Sequence, residues 1–369
     1  MSRTERKIAF VAAVTLLLST LEYLIPKPLP FLRLGLANLP LLIILDSFSL
    51  KAYSIVLLLK AIGQGMVSGT LFSYLFFISL AGTLSSGLVM KALKVLLKGN
   101  VSLVGCSLAG AFVSNLAQLE VASLVAYGPS IWVAAPLMLT LGLVSSFVLG
   151  LLSELYLQKG SLPKALSDQQ FELAIPLTEE AKHYLWVTVA SLLCVAAVIT
   201  TEGLAFLALV TALMYVLQLL SGRKLRLLPP AMLLLSLVLL SLFEPNGKVL
   251  FSLGSVAFTE GSLILALQKA LRLMSLLAAS QCLVASNPKI RGKAGAILLL
   301  TLAYFSILST SFRDTKGNLT ERVDQALMRA AMREETITVP RKQKRAINTS
   351  LFSLGTVLVL VVALSSKFL

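Results

Sequence analysis

Residues 294–312, AGAILLLTLAYFSILSTSF, decide how this chain is read. The run is uncharged and close to the ~20 apolar residues that a bilayer-spanning helix requires. Basic residues crowd both of its ends: Lys289, Arg291 and Lys293 before it, then Arg313, Lys316, Arg322, Arg329, Arg333 and the stretch Arg341 to Arg345 after it. Short loops rich in Lys and Arg stay on the cytoplasmic side, so a single crossing strands one cluster on the wrong face. The expectation is a segment that enters and leaves on one face, or lies along it, and is followed by a charged helix.

Composition fixes the class around that segment. Of 369 residues, 57% are hydrophobic and 13% charged, and apolar runs recur from end to end. A soluble domain of this length does not hide so much apolar surface, and within a bilayer a helix satisfies its own backbone. The expected fold is therefore an all-α, polytopic helical membrane protein. The net charge of +15 points to anionic lipid and to topology rather than to nucleic acid, because the Lys and Arg residues sit in short loops between apolar runs. Cys106, Cys194 and Cys282 each fall inside an apolar run and read as small packing residues. With His183 as the single histidine, no metal site is expected. The first apolar segment lacks a small-residue cleavage site and reads as a retained helix.

The pattern divides the chain in two. Arg3, Arg6 and Lys7 hold the N-terminus inside, and spans are expected near 8–25, 34–49, 51–68, 71–90, 102–125 and 131–155. The turns between them carry Pro26, Pro28 and Pro30, Ser68-Gly69-Thr70, and Tyr127-Gly128-Pro129. Residues 1–157 thus form a first membrane domain. A polar cytoplasmic linker covers 158–183, and a second membrane domain covers 184–369. The second domain has spans near 184–200, 203–220, 227–243, 260–285 and 347–366, with 286–345 cytoplasmic or interfacial. The total is about eleven spans in a multi-pass protein of the cytoplasmic (inner) membrane.

Polar side chains inside spans carry the functional question, since burying an ionised group there costs roughly 2.5–3.5 kcal/mol even on lenient scales. Lys60 lies about 13 Å along its helix from Lys51 at 1.5 Å per residue, with Gln64 one turn further. Asn115, Gln118 and Glu120 cluster on the fifth span, and Glu22 and Asn38 lie at similar depth. One reading is a substrate pocket in which Lys60 meets an anionic group. The other is interhelical glue, with Lys60 satisfied by Glu22 or Glu120. Ala9 and Ala13 form a small-xxx-small pair that lets another helix approach closely.

RLGLANLP (33–40), KAYSIVLLLKAIGQGMVSGT (51–70) and LFFISLAGTLSSGLVMKAL (75–93) resemble the Gx transporter family. That family is also labelled heptaprenyl diphosphate synthase component I, and it groups with the substrate-binding S components of energy-coupling factor (ECF) importers. The resemblance covers about 5–157 and implies a six-helix bundle with a ligand site, docking through an Ala-xxx-Ala face that Ala9 and Ala13 match. Thr259-Glu260-Gly261, ALQKALRLMSLLAAS (266–280), LTLAYFSILSTSF and RDTKGNLTERVDQALMRAAMRE resemble the T component of the same importers. This second resemblance implies coupling helices that lie on the cytoplasmic face. Arg329, with Arg333 one turn on, matches the arginine that seats in the partner ATPase subunits, here without the glycine of the family's Ala-Arg-Gly motif.

No enzyme chemistry is legible. Diphosphate chemistry needs Mg²⁺ held by clustered carboxylates, whereas Asp46, Asp168, Asp314 and Asp324 stand apart. There is no Walker A motif and no nucleophile elbow. ATP is expected to be hydrolysed by partner ABC ATPase subunits, and no cofactor is expected in this chain. Two functional readings follow. The first is a fused S–T subunit of an importer for a small, anionic molecule. The second is a non-catalytic membrane accessory of prenyl diphosphate or quinone metabolism.

Overall fold

In a computed structural model the described residues are 2–23, 34–159, 177–178, 184–225, 228–241, 246–253, 256–288, 292–315, 322–327, 338–339 and 347–368. The first half holds α1 (Arg3–Tyr23), α2 (Leu39–Ile43), α3 (Leu50–Ser68), α4 (Tyr74–Leu96), α5 (Leu103–Ala122) and α6 (Ala135–Lys159). The second holds α7 (Leu185–Thr200), α8 (Leu204–Leu220), α9 (Leu228–Ser241), α10 (Glu260–Ala285), α11 (Gly292–Asp314) and α12 (Thr349–Ser365). Among the described residues strand is confined to short pieces: β1 (Leu177–Thr178) pairs in parallel with β4 (Thr338–Val339), and β2 (Val249–Leu253) forms a hairpin with β3 (Val256–Thr259) ahead of α10. The protein is a polytopic helical one. Among the described residues six helices are long and apolar enough to cross a membrane: 50–68, 74–96, 103–127, 129–158, 260–285 and 292–314.

Local chemistry sets the helix ends. Ser49 and Ser102 stand at N-caps, and their Oγ atoms accept from Ala52 N and Gly105 N at 3.3 and 3.0 Å. These bonds satisfy donors that an open helix end leaves bare. At the far end of α3, Gly69 takes φ +74 and Thr70 N donates to Gly65 O at 2.8 Å, a left-handed stop that glycine adopts without strain.

One expectation about spans is corrected. The run 34–49 is not one full helix. Gly35 turns left-handed (φ +90), a short 3₁₀ turn (Leu36–Asn38) leads into α2, and the chain turns again from Ile44. Eight helical residues rise only about 12 Å, less than a bilayer core. In the second half α7, α8, α9 and α12 are shorter apolar helices at the places where spans are expected. Carbonyls of the turn that follows α2 are met by Lys91, whose Nζ donates to Leu45 O and Phe48 O at 2.5 and 2.7 Å. Lys91 is buried. It serves as a cationic cap on a helix C-terminus rather than as a free loop charge.

Among the described residues four hydrophobic cores organise the molecule, the smallest setting Leu71 and Phe76 against Leu283 and Val284. α7, α8, α10 and α12 share a core that includes Cys194 and Cys282, and the three cysteines are free and buried. α1, α2 and α3 form a second core, and α11 packs side by side with α1 in it: Ile8 to Leu17 face Ile297 to Leu308, with the Phe10 and Tyr304 rings edge-on at 5.6 Å. Ala9 and Ala13 are fully buried in this region. A third core joins the halves, setting Tyr74, Ile78, Leu119 and Tyr127 against Leu233, Leu237, Ala270 and Leu273.

That third region fixes a relation between the halves. The α3–α4 turn and the α5–α6 connection lie at the same end of the first bundle. α10 touches both: Lys269 Nζ donates to Tyr127 O at 3.4 Å, and Gln281 Nε2 donates to Ser68 O at 3.1 Å. Twelve residues of helix separate these contacts, about 18 Å. α10 therefore lies across the end of the bundle instead of running alongside its helices. α11, packed along α1, belongs with the first half in direction although it belongs with the second in sequence.

Candidate functional site

Inside the first bundle is a buried, polar cavity built from five helices and the 34–38 turn ahead of α2. α4 contributes Ser79, Gly82 and Thr83; α5 contributes Ser107, Ser114, Asn115 and Gln118; α6 contributes Gly142, Ser145 and Ser146. Lys60 of α3, Glu22 of α1 and Asn38 complete the lining. Its free volume, about 40 Å³, accommodates a few water molecules.

Five of the seven sequence-predicted residues meet here: Glu22, Asn38, Lys60, Asn115 and Gln118. Lys60 is 2% exposed and its Nζ donates to Asn38 Oδ1 at 2.6 Å. Glu22 is also buried, and its Oε1 accepts from Leu34 N at 2.7 Å. A cation and a carboxylate thus line one cavity, with Asn38 and Leu34, both just ahead of α2, among their hydrogen-bond partners. Asn115 Nδ2 donates to Met138 O at 2.8 Å, which locks one side of that amide. Gln118 Nε2 donates to Ser114 Oγ at 2.9 Å, whereas its Oε1 is buried with no hydrogen-bond partner among the described residues. An unmet buried acceptor is costly. A donor arriving in the cavity satisfies it.

Two predicted residues stand elsewhere. Glu120 is exposed, so it is not part of the cavity. Two residues on a helix turn by about 200°, which carries Glu120 to the face opposite Gln118. Gln64, one turn beyond Lys60, is partly buried outside the lining, and its carbonyl accepts from Ser68 Oγ at 2.7 Å. Arg329 and Arg333 lie outside the described residues. The nearest described piece, 322–327, touches both halves: Tyr156 OH donates to Asp324 Oδ1 at 3.1 Å, and the Arg322 guanidinium covers the Phe312 ring at 4.2 Å.

The glycines are what sequence reasoning missed. A Cβ on Gly82 would come within 2.6–2.8 Å of the Gln118 side chain, and one on Gly142 would collide with the Asn115 amide. Both positions leave room for an amide that faces the cavity. The available signal was the spacing Ser79, Gly82, Thr83 and Gly142, Ser145, Ser146, small and hydroxylic residues repeating at helical intervals inside apolar spans.

Residues 11–156 match the family model described as heptaprenyl diphosphate synthase component I. Residues 183–286 match a domain of unknown function, DUF8519. No curated protein and no solved structure matches the chain.

Proposed function

We propose that this chain is the membrane subunit of an ECF-type importer, which captures a small polar molecule in the first bundle and couples its release to partner ATPases through the second half. One observation carries the reading: Lys60, Glu22 and the unmet Gln118 acceptor converge on a single buried cavity. Packing alone gains little from a buried charge, and an ionisable group inside a membrane bundle facing a cavity is by default a functional-site candidate. The end-on seat of the bundle against α10 supports a bundle that moves as a unit. The packing of α1 along α11, with the Phe10 and Tyr304 rings in contact, supports α11 as the lever, and Arg329 and Arg333 are assigned to the ATPase contact. In this reading the N-terminus is cytoplasmic and the ligand carries both an anionic group for Lys60 and a donor for Gln118.

A second reading rests on the family description: a non-catalytic membrane partner of a prenyl diphosphate synthase. Native mass spectrometry of the intact chain, gently extracted from its own membranes, separates the two. A retained small molecule together with ATPase subunits is the result expected of the importer. A soluble prenyl synthase in the complex, with no ATPase and no small molecule, would overturn it in favour of the accessory subunit.

A further inference from the structure

A second cavity, larger than the first at about 380 Å³, opens where the two halves meet. On one side the end of α5 loosens into a π-helical turn, Ser123–Tyr127, a feature that recurs at functional positions. On the other side is the middle of α10. Leu124, Val125, Leu265 and Leu273 give the cleft apolar walls, and Lys269 and Arg272 face it from adjacent turns. No carboxylate is among its described lining residues; Glu120, exposed one turn earlier on α5, is outside it. Among the described residues neither Lys269 nor Arg272 forms an ion pair. Arg272 Nη2 donates to Thr201 O at 2.9 Å, while its Nε has no hydrogen-bond partner among those residues.

α7 fixes where these cations sit along α10. Tyr184 N donates to Ser286 O at 3.1 Å, which levels the start of α7 with the end of α10. The Arg272–Thr201 bond levels the end of α7 with Arg272. Arg272 therefore stands beside the polar Thr201-Glu202-Gly203 turn that ends the apolar α7, with Lys269 one turn further along α10. Two cations beside an apolar-walled cleft match a ligand with an anionic head and a hydrocarbon chain. We infer that this cleft binds a phosphate-headed lipid, its head group on Lys269 and Arg272 and its chain along Leu124, Val125 and Leu273. Bound there, the lipid bridges α5 of the first half and α10 of the second. The inference does not depend on what occupies the bundle cavity.

The test is native mass spectrometry of the full chain, purified in detergent and titrated with phosphatidylglycerol, phosphatidylcholine or inorganic phosphate. The comparison is with Lys269→Gln/Arg272→Gln and with a control of equal charge loss, Lys51→Gln/Lys98→Gln, at exposed positions. Phosphatidylglycerol should be retained by the parent and the control, and retained about 30-fold more weakly by the cleft variant, since each cation near a membrane surface is worth about a factor of 5. Equal retention by the cleft variant, or equal retention of phosphatidylcholine by the parent, would overturn the site. Binding of inorganic phosphate with no retention of phosphatidylglycerol would overturn the lipid and leave an anion site. Should the double variant fail to fold, Leu124→Asp provides the second arm: its side chain is 77% exposed, and a carboxylate there repels the same head group.

Discussion

Ser280 Oγ donates to Leu71 O at 2.6 Å and also reaches Gly69 O at 3.0 Å, across more than two hundred residues of chain. The second half thus satisfies carbonyls at the α3–α4 turn that the helix end leaves without partners. The turn is shaped for this contact: Gly69 is left-handed, and a Cβ there would run into the Gln281 amide.

Gly69→Ala is expected to destabilise the joined protein by about 1–2 kcal/mol from backbone strain alone, with the Gln281 collision added to it. Thermal unfolding of the detergent-purified chain checks this. A melting temperature equal to the parent's would mean that the turn does not carry the docking of the halves.

Replacing Lys60 by Met removes the partner of Asn38 Oδ1 and the cavity's cation. Hydrogen bonds to charged groups are worth about 1.5–3 kcal/mol, so retention of the co-purifying small molecule should fall roughly 10- to 100-fold. The amount of protein in the membrane should not change, because removing an intramembrane charge favours insertion. Unchanged retention in Lys60→Met would assign Lys60 to helix packing.

Gly142→Ala places a methyl group where the Asn115 amide stands. Overpacking of this kind costs about 1–3 kcal/mol, and it turns the amide away from the cavity. Weaker ligand retention is expected here, whereas Gly99→Ala, which meets no atom but sits at φ +82, should alter stability and leave retention alone. Similar losses of retention in both variants would remove the argument that Gly142 shapes the site.

Lys91→Met should be among the more damaging single changes to the first bundle. It strands Leu45 O and Phe48 O, at roughly 1–3 kcal/mol for each buried acceptor left unpaired. Lys98→Met, exposed in the next turn, is expected to lie within about 0.5 kcal/mol of the parent. Chemical denaturation in mixed micelles distinguishes the two. Equal stabilities would show that water reaches the end of α2.

Much of the candidate site was legible because its residues are expensive where they are. Lys60, Asn115 and Gln118 interrupt apolar runs, and an ionised or amide side chain in such a run needs a partner or a use. Glu120 was misjudged by its neighbourhood, although its angle about the helix already separated it from Gln118. Gly82 and Gly142 were not legible in this way. A glycine in a span reads the same whether it admits a neighbouring helix or an amide, and only the facing side chain decides which.

The sequence by itself determined that this is a helical membrane protein and where most helices begin and end. Those properties follow from local hydrophobicity, charge and capping, each confined to a few neighbouring residues. It also determined that 294–312 is apolar between basic flanks. Only the tertiary structure decided that this segment packs along α1, that α2 stops short and is closed by Lys91, and that α10 lies across the bundle's end. Each of these depends on contacts between residues tens to hundreds of positions apart, where the gain comes from burying one surface against another and satisfying its stranded polar atoms, and no local pattern records the partner.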